Sequence, residues 1–217
     1  MKYLVRRVIE QEAEAIKNIP LNNDFEKATE LIWQQVHKKK GKLVASGMGK
    51  AGQIAQNIAT TFSSTGTPAI FIHPSDSQHG DLGMIQENDI LLLISNSGKT
   101  REILEFVGLA ENLHKGLPLI VISGNPDSDL AKSADAFIFT GAPAEVCPLG
   151  LTPTTSTTVM TVIGDALVVS LMDKIGFTAS EYAKRHHGGY LGDKSRKQCI
   201  ENEDPEVSKL KSAHRQK

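Results

Sequence analysis

The chain lacks most of the features that mark specialised classes of protein. It has two cysteines, Cys147 and Cys199, in 217 residues, which excludes a disulfide-rich scaffold and favours a reducing compartment, the cytoplasm. Its net charge is −1, so a general role in nucleic-acid binding is disfavoured. The basic residues at the start are not followed by a long apolar stretch, so they do not form a signal peptide, and we expect no apolar run long enough to span a bilayer.

The chain has abundant hydrophobic residues, and their spacing indicates one α/β domain. Hydrophobic residues make up 40% of the chain, enough to bury a core. From residue 43 onward, short apolar runs alternate with helical patterns, as in a parallel sheet that helices cover on both faces. We predict a three-layer αβα sandwich, with N-terminal helices in 1–40, the main domain in 41–192 and a polar tail in 193–217. The tail is expected to be partly disordered or to pack on a neighbouring subunit.

Hydrophobic periodicity gives an expected position for each element. The second helix is expected to run to Val36 after a cap at Asn22, Asn23 or Asp24. The lysine-rich run 38–42 is predicted to be a solvated loop. The predicted strands are 43–45, 69–72, 90–94, 117–122 and 137–139, and the other predicted helices are 3–19, 50–62, 101–113, 127–133, 152–175 and 179–185.

The most informative segment directly follows the predicted strand 90–94. Ser95, Ser97 and Thr100 supply hydroxyl groups, and Gly98 lets a ligand approach the backbone closely. The helix that follows offers unpaired N–H groups and the positive end of its dipole, both of which favour an anion. No Walker-type lysine pattern is present, so a nucleoside triphosphate is not expected. The segment therefore predicts a site for the phosphate group of a small metabolite.

Several other motifs accompany this turn, and together they are specific. They are Ser46-Gly-Met-Gly-Lys50, Ser64-Thr-Gly-Thr-Pro68, His73-Pro74, His79-Gly-Asp-Leu-Gly-Met84, Ser95-Asn-Ser-Gly98, Glu145-Val-Cys-Pro-Leu-Gly-Leu-Thr-Pro-Thr154, Gly164-Asp-Ala-Leu167 and His186-His-Gly-Gly189. Over roughly residues 42–192 the set resembles the arabinose-5-phosphate isomerases of the sugar isomerase (SIS) superfamily.

The resemblance implies a five-stranded parallel sheet of the flavodoxin/Rossmann-like kind. It implies the interconversion of D-ribulose 5-phosphate and D-arabinose 5-phosphate, which supplies the synthesis of Kdo, an acidic sugar of lipopolysaccharide and of some capsules. It also implies a cytoplasmic homo-oligomer, a tetramer in this family, in which residues of one subunit often enter the site of another. No cofactor is expected. The catalytic set that the resemblance implies is Lys50, Glu102, Glu145 and His186.

These residue types suit an aldose–ketose isomerisation, which moves a proton between C1 and C2 through an enediol. A carboxylate in a partly dry pocket has a raised proton affinity, so either Glu145 or Glu102 is a candidate for the carbon base. His186 would move the proton between O1 and O2 or help to open the cyclic sugar, and Lys50 would stabilise the enediolate oxygen. The two carboxylates also have structural explanations: Glu102 could stabilise the amino end of a helix, and Glu145 could be a surface loop residue.

Around this set we predict a group of substrate-binding residues. His79 has three candidate roles, as a sugar contact, a loop histidine or a ligand of an inhibitory divalent metal such as zinc. The cluster 154–158 is expected to cap a helix and then to form a second edge of the pocket. Cys147 is expected to be a buried structural thiol. The predicted substrate-binding residues are Gly47, Gly49, Ser95, Asn96, Ser97, Thr100, His79 and Thr154.

Three departures from the family pattern change the expectations. His187 stands where the family has proline, so His187 is an alternative to His186 in its role. Ala51 replaces a serine that would add a hydroxyl donor. The chain ends soon after the isomerase domain, so we expect no regulatory CBS modules, and feedback by a Kdo derivative would act by competition in the pocket. Two alternative functions stay open: a sugar-phosphate-sensing module without turnover, and an isomerase of another ketose phosphate.

Overall fold

The computed structural model describes residues 1–203, and the part of the predicted tail at 204–217 lies outside the described residues. In the part of the predicted tail that the structure describes, a helix runs through residue 203. The strands are β1 (Leu43–Gly47), β2 (Ala69–Phe71), β3 (Ile90–Ile94), β4 (Leu119–Ser123) and β5 (Ala136–Phe139). The α-helices are α1 (Lys2–Lys17), α2 (Phe25–Ile32), α3 (Gly49–Ser64), α4 (Pro74–Ser77), α5 (Arg101–Leu113), α6 (Asp129–Lys132), α7 (Thr155–Lys174), α8 (Ala179–Arg185) and α9 (Gly189–Glu203). A π-helical turn, Trp33–Lys38, extends α2, and a 3₁₀ turn, Asp81–Met84, precedes β3.

The strands form one parallel sheet in the order β2-β1-β3-β4-β5, which confirms the predicted five-stranded α/β architecture. Every residue of β1, β3 and β4 is buried, as expected for inner strands of a sheet covered on both faces. The chain passes from β1 outward to β2 and then returns to the other side of β1 at β3. In open parallel sheets such a reversal opens a crevice at the carboxyl ends of the two strands.

Two apolar clusters, one on each face of the sheet, form the core. On one face α3 and α7 cover the sheet, with Phe62 and Leu167 fully buried. On the other face α5 covers it, with Ile103 and Phe106 fully buried. These layers confirm the three-layer sandwich. The clusters hold α3, α5 and α7 in fixed positions, and the amino ends of all three helices lie at the carboxyl edge of the sheet.

α7 changes one expectation from the sequence. Its 20 residues, with a mean hydropathy of 1.5 over the tested window, are long and apolar enough to cross a membrane by length and composition alone. The prediction that no apolar run reaches that length is therefore wrong. Half of that window is buried inside the domain, where α7 packs against α3. An apolar helix in this position is explained by the core.

The predicted cap of the second helix is right in position, because Asp24 is the N-cap residue of α2, but wrong in its side-chain contacts. The side chains of Asn23 and Asp24 do not close the start of α2 but pair with β5. Asn23 exchanges two hydrogen bonds with the backbone of Phe139, at 2.8 and 3.0 Å, and Asp24 accepts one from the N–H of Phe137 at 3.0 Å. The reason is that β5 is an edge strand, whose outer backbone groups would otherwise lack partners.

Lys42 corrects the prediction that the lysine-rich run is only a solvated loop. Its ammonium group lies 2.6 Å from the carboxylate of Asp89, a side chain that is 1% exposed. That carboxylate also accepts the N–H groups of Lys42 and Gln86, both at 2.8 Å. The contact ties the start of β1 to the start of β3 at the amino edge of the sheet, opposite the crevice.

Candidate active site

A cavity of about 390 Å³ opens at the carboxyl edge of the sheet, and we call it the sheet-edge cavity. Three segments enclose it: the turn after β1, the turn between β3 and α5, and the start of α7. Its lining residues are Met48, Lys50, Ala51, Ile94, Ser95, Asn96, Ser97, Thr100, Pro153, Ser156, Thr157 and Met160.

The β3–α5 turn (residues 95–100) forms one wall of this cavity. The hydroxyl groups of Ser95 and Thr100 lie 3.0 Å apart, and the N–H of Gly98 closes the turn on the carbonyl of Ser95 at 3.1 Å. Gly98 has a φ of +63°, and Ser128 occupies the space that a side chain on Gly98 would need. Ser128 belongs to the loop between β4 and α6, which we call the β4 loop (residues 124–128). Glycine is therefore required here for two reasons, its conformation and its close approach to a neighbour.

The turn after β1 forms the second wall. Its backbone is tightly folded, because Gly52 sits against the backbone of Gly47 with no room for a side chain. This close packing starts α3 directly at the end of β1 and places Lys50 in the first turn of the helix. Gly49, with a φ of +57°, allows the reversal. The Lys50 ammonium group forms no ion pair within the described residues.

The electrostatics of the sheet-edge cavity favour an anion. Lys50 is the one charged residue among the lining residues that the structure describes. The amino ends of α3, α5 and α7 all meet there, and those of α3 and α5 contribute unpaired N–H groups and the positive end of a helix dipole. The cavity is thus suited to hold a phosphate group, as the β3–α5 turn predicts.

The start of α7 is the third wall, and Glu145 caps it. One carboxylate oxygen of Glu145 accepts the N–H of Thr154 at 2.7 Å, the hydroxyl of Thr154 at 2.9 Å and the N–H of Ser156 at 3.4 Å. Thr154 is the N-terminal boundary residue of α7 but does not cap it with its own side chain, contrary to the prediction. Burial by itself raises the pKa of Glu145, but the hydrogen bonds from Ser156 and Thr154 outweigh it and leave the pKa below its ordinary value. The expected rise in proton affinity is therefore wrong for Glu145.

The thiol of Cys147 lies in the same loop. Its sulfur accepts the N–H groups of Leu151 at 3.2 Å and Thr152 at 3.1 Å, and the side chain is only partly buried. The backbone hydrogen bond from Thr152 lowers the pKa of the thiol, while burial opposes that effect. The prediction of a buried structural thiol is wrong, because the loop surrounds the sulfur with polar donors.

The SIS domain family profile matches residues 35–170, which is more than half of the chain. The chain belongs to the SIS domain family. A Bacteroides fragilis NCTC 9343 protein, inferred to be a phosphosugar isomerase involved in capsule formation, is 66% identical to this SIS chain. The two superpose with a TM-score of 0.85 over 86% of this chain and 97% of that one.

Two further similar proteins have names that include arabinose 5-phosphate. An E. coli CFT073 protein solved in complex with arabinose 5-phosphate is 35% identical, with a TM-score of 0.76 over 85% of this SIS chain and 96% of that one. The arabinose 5-phosphate isomerase KdsD of Yersinia pestis is 46% identical over 191 residues, which is 87% of this chain and 56% of KdsD. The SIS chain thus spans about half the length of the curated relatives that it matches.

Some of the predicted site residues of this SIS domain line the sheet-edge cavity, and others do not. The predicted residues that line it are Lys50, Ser95, Asn96, Ser97 and Thr100, and those that do not are Gly47, Gly49, His79, Glu102, Glu145, Thr154 and His186. Several apolar lining residues, such as Met48 and Met160, escaped the prediction. Met160 lies one helical turn after Ser156 and Thr157, so the helical period of the predicted cluster pointed to it.

Glu102 and His186 lie apart from the cavity lining of one SIS chain. Glu102 is half-buried in the first turn of α5, and its carboxylate makes no hydrogen bond within the described residues, so it does not cap the helix. His186 follows α8, where its ring stacks on Tyr182 with 3.8 Å between ring centroids and its Nδ1 donates to the carbonyl of Tyr182 at 3.1 Å. The backbone carbonyl of His187 accepts a hydrogen bond from the guanidinium group of Arg196 at 3.3 Å.

His79 is exposed beside the 3₁₀ turn. Its N–H donates to the carbonyl of Asp76 at 2.9 Å. Across residues 1–203, no group of three or more His, Cys, Asp or Glu side chains is arranged to hold a metal ion. Among the described residues of one chain, His79 therefore belongs to no such group.

Proposed function

We propose that this protein interconverts D-ribulose 5-phosphate and D-arabinose 5-phosphate through an enediol intermediate. The observation that carries the proposal is a 390 Å³ cavity whose described lining combines one cation, Lys50, with the hydroxyl-rich β3–α5 turn. A volume in this range suits a small metabolite. The similarity to KdsD and to an E. coli protein in complex with arabinose 5-phosphate supports this substrate class.

The chemistry divides the cavity into two ends. Ser95, Ser97 and Thr100 bind the phosphate together with the amino end of α5, which directs the carbonyl end of the sugar toward Lys50 and the start of α7. Lys50 stabilises the negative charge that develops on the enediolate oxygen. The substrate is thereby oriented before proton transfer, which needs no cofactor in this proposal.

The carbon base is one of two carboxylates, and we favour Glu102. Glu145 already shares one oxygen among Thr154 and Ser156, and these bonds lower its pKa, which makes it a weaker base. Glu102 has no such hydrogen bonds within the described residues. His186, with His187 as the alternative, moves the proton between the sugar oxygens or opens the ring.

The proposed working form is a homo-oligomer, a tetramer as in the family. His186 stands outside the cavity of its own chain, so we propose that it acts in the site of a second copy. Large apolar residues of α9, which follows it, are exposed at Tyr190, Leu191 and Ile200, as expected of a helix that another subunit would cover. α1 offers a second such surface at Val5 and Ile9, which are 53% and 62% exposed.

The biological setting is part of the same proposal. The product would supply the synthesis of Kdo in the cytoplasm, and the thiols of Cys147 and Cys199, which are not paired in the structure, suit a reducing compartment. A Kdo derivative would compete for the sheet-edge cavity as a feedback ligand, and a divalent metal such as zinc would inhibit at His79. Kinetics insensitive to a Kdo derivative would contradict the feedback.

The alternative is a sensing module that binds a sugar phosphate without turnover. It is favoured by one observation: Glu102, Glu145 and His186 do not line the cavity of a single chain. Proton NMR of the purified protein with D-ribulose 5-phosphate in deuterated buffer separates the two. Formation of D-arabinose 5-phosphate with deuterium at C2 supports the isomerase. Binding without product supports the sensor, and turnover of another ketose phosphate alone supports an isomerase of different specificity.

A further inference from the structure

The imidazole ring of His186 lies face to face on the ring of Tyr182, one helical turn earlier in the chain. The two ring centroids are 3.8 Å apart, and the ring planes differ by 8°. Residues four apart share one face of a helix, so the position of Tyr182 in α8 places its ring beside His186. With the rings this close and parallel, the imidazole cannot turn about its Cβ–Cγ bond without its edge meeting the phenol ring. The stack therefore fixes the plane of the imidazole.

The backbone carbonyl of Tyr182 determines which imidazole nitrogen carries a proton. This oxygen accepts the backbone N–H of His186 at 3.1 Å and also lies 3.1 Å from Nδ1 of the same residue. A carbonyl oxygen can only accept, so Nδ1 must be the protonated nitrogen. In the neutral imidazole Nε2 is then the free acceptor. Nε2 has no hydrogen-bond partner in the part of the chain that the structure describes. The imidazole is thus held in the form that can take a proton at Nε2.

The ring of Tyr182 is itself held by the main domain. Phe177 meets it edge to face, with 6.4 Å between ring centroids and 74° between planes. Phe177 closes the carboxyl end of α7, because its N–H donates to the carbonyl of Met172 at 2.9 Å across Gly176, which has a φ of +61°. The Phe177 ring also lies against the backbone of Gly66, where a Cβ atom would come within 2.7 Å of it. A continuous set of contacts therefore joins α7 and Gly66 to the ring beneath the imidazole.

We propose that Tyr182 is a positioning residue for proton transfer by His186. Its ring sets the plane of the imidazole and its carbonyl sets the tautomer, so Nε2 is presented in one direction. The Tyr182 hydroxyl makes no hydrogen bond within residues 1–203, so the aromatic face is the part of the side chain that acts. The role of His186 in the reaction rests on the proposed function, but the hold of Tyr182 on its ring does not.

Two variants of the full chain test this. Tyr182→Phe keeps the aromatic face, whereas Tyr182→Leu keeps an apolar side chain and loses the stack. The matched control is Phe139→Leu, which removes one ring of the stacked pair that Phe137 and Phe139 form on the edge strand β5. The readouts are kcat and KM for D-ribulose 5-phosphate, the Kd of inorganic phosphate by calorimetry, and Tm. Nitrogen NMR at about pH 8, where an ordinary histidine is neutral, reports the tautomer. The spectrum of His186→Gln identifies the resonances of this ring.

We expect Tyr182→Leu to lower kcat about ten- to hundredfold, since a misplaced proton-transfer group loses part of its effect. KM and the phosphate Kd should stay nearly unchanged. Tyr182→Phe should retain most of the turnover, and Phe139→Leu should leave kcat unaltered. His186 should show the Nδ1–H tautomer in the wild type and in Tyr182→Phe. It should show a mixture of tautomers in Tyr182→Leu, because the freed ring can turn Nδ1 away from the carbonyl.

A double variant separates positioning from a merely structural role. In the His186→Gln background, Tyr182→Leu should cause no further loss of kcat, because Tyr182 acts only through that ring. A further loss there, an equal loss in Phe139→Leu, or an unchanged kcat or tautomer in folded Tyr182→Leu overturns the proposal. Full turnover in His186→Gln, or no isomerisation by the wild type, instead overturns the proposed function, and the NMR comparison still decides whether Tyr182 holds the imidazole.

Discussion

The carboxylate of Glu145 accepts both the backbone N–H and the hydroxyl of Thr154, at 2.7 and 2.9 Å. Thr154 stands at the start of α7, so an acidic side chain nine residues earlier closes the amino end of the helix that forms one wall of the cavity. The negative charge is favourable there because of the helix dipole. A carboxylate held in this way is well suited to fix the wall and poorly suited to take a proton from carbon.

Substituting Glu145 tests this division of roles. Glu145→Gln keeps an oxygen that can accept from Thr154, so we expect it to retain most of the turnover. Glu145→Ala loses the cap, and we expect it to lower the free energy of unfolding by about 1 kcal/mol and to raise KM. Denaturant unfolding and steady-state kinetics measure both effects. Complete loss of turnover in Glu145→Gln, with phosphate affinity unchanged, would instead identify Glu145 as the carbon base.

The second prediction concerns Glu102, which we favour as the carbon base. Glu102→Gln cannot accept a proton, so kcat should fall by about 10²- to 10⁴-fold, the usual contribution of a general base. Phosphate affinity should stay unchanged because the β3–α5 turn is intact. Deuterium exchange at C2 of the sugar phosphate should be lost with turnover. Glu111→Gln, near the exposed end of the same helix, is the control. Equal turnover in the two variants would remove Glu102 from this role.

The β3–α5 turn was predictable because its determinants are local. The buried run from Ile90 to Ile94, the hydroxyls that follow and the start of α5 at Arg101 are adjacent in sequence, so one segment defines strand, turn and helix. The five strands were predicted for the same reason. Their ends were less certain: β1 runs to Gly47, two residues beyond the prediction, because the ladder with β3 continues that far.

The contacts that were not predicted join distant segments. Asn23 and Asp24 carry the short polar side chains of a typical helix cap, but the unpaired edge of β5, more than 110 residues away, binds them instead. Glu145 reaches Thr154 only because the loop between them folds back. His186 lies outside the cavity of its own chain, and the proposed contact with the site of a second copy would depend on packing between subunits, which neither local pattern nor periodicity encodes.

The third prediction concerns stability at the opposite edge of the sheet. Asp89 is buried and binds the ammonium group of Lys42 as well as two backbone N–H groups. Asp89→Asn removes the charge and leaves Lys42 unpaired, so we expect a loss of about 3 kcal/mol in the free energy of unfolding. Glu14→Gln, which breaks an exposed contact of 3.9 Å with Lys17, should cost less than about 0.5 kcal/mol. Urea unfolding compares them, and equal midpoints would refute the prediction.

The last prediction is a pH dependence that arises at His37, whose Nε2 lies 3.1 Å from the hydroxyl of Thr67. Burial, and then the charge of Lys40, lowers the pKa of this imidazole in the folded protein. The unfolded chain therefore binds a proton at His37 more readily than the folded chain does. The contribution of neutral His37 to the free energy of unfolding is present above about pH 6.5, the pKa in the unfolded chain. It is lost as the pH falls through the lower pKa of the folded protein. His37→Gln should flatten the dependence of unfolding free energy on pH between about pH 7.5 and 5. Thr67→Val keeps the imidazole, so it should preserve the pH dependence. An identical slope in His37→Gln and in the wild type would show that another group titrates.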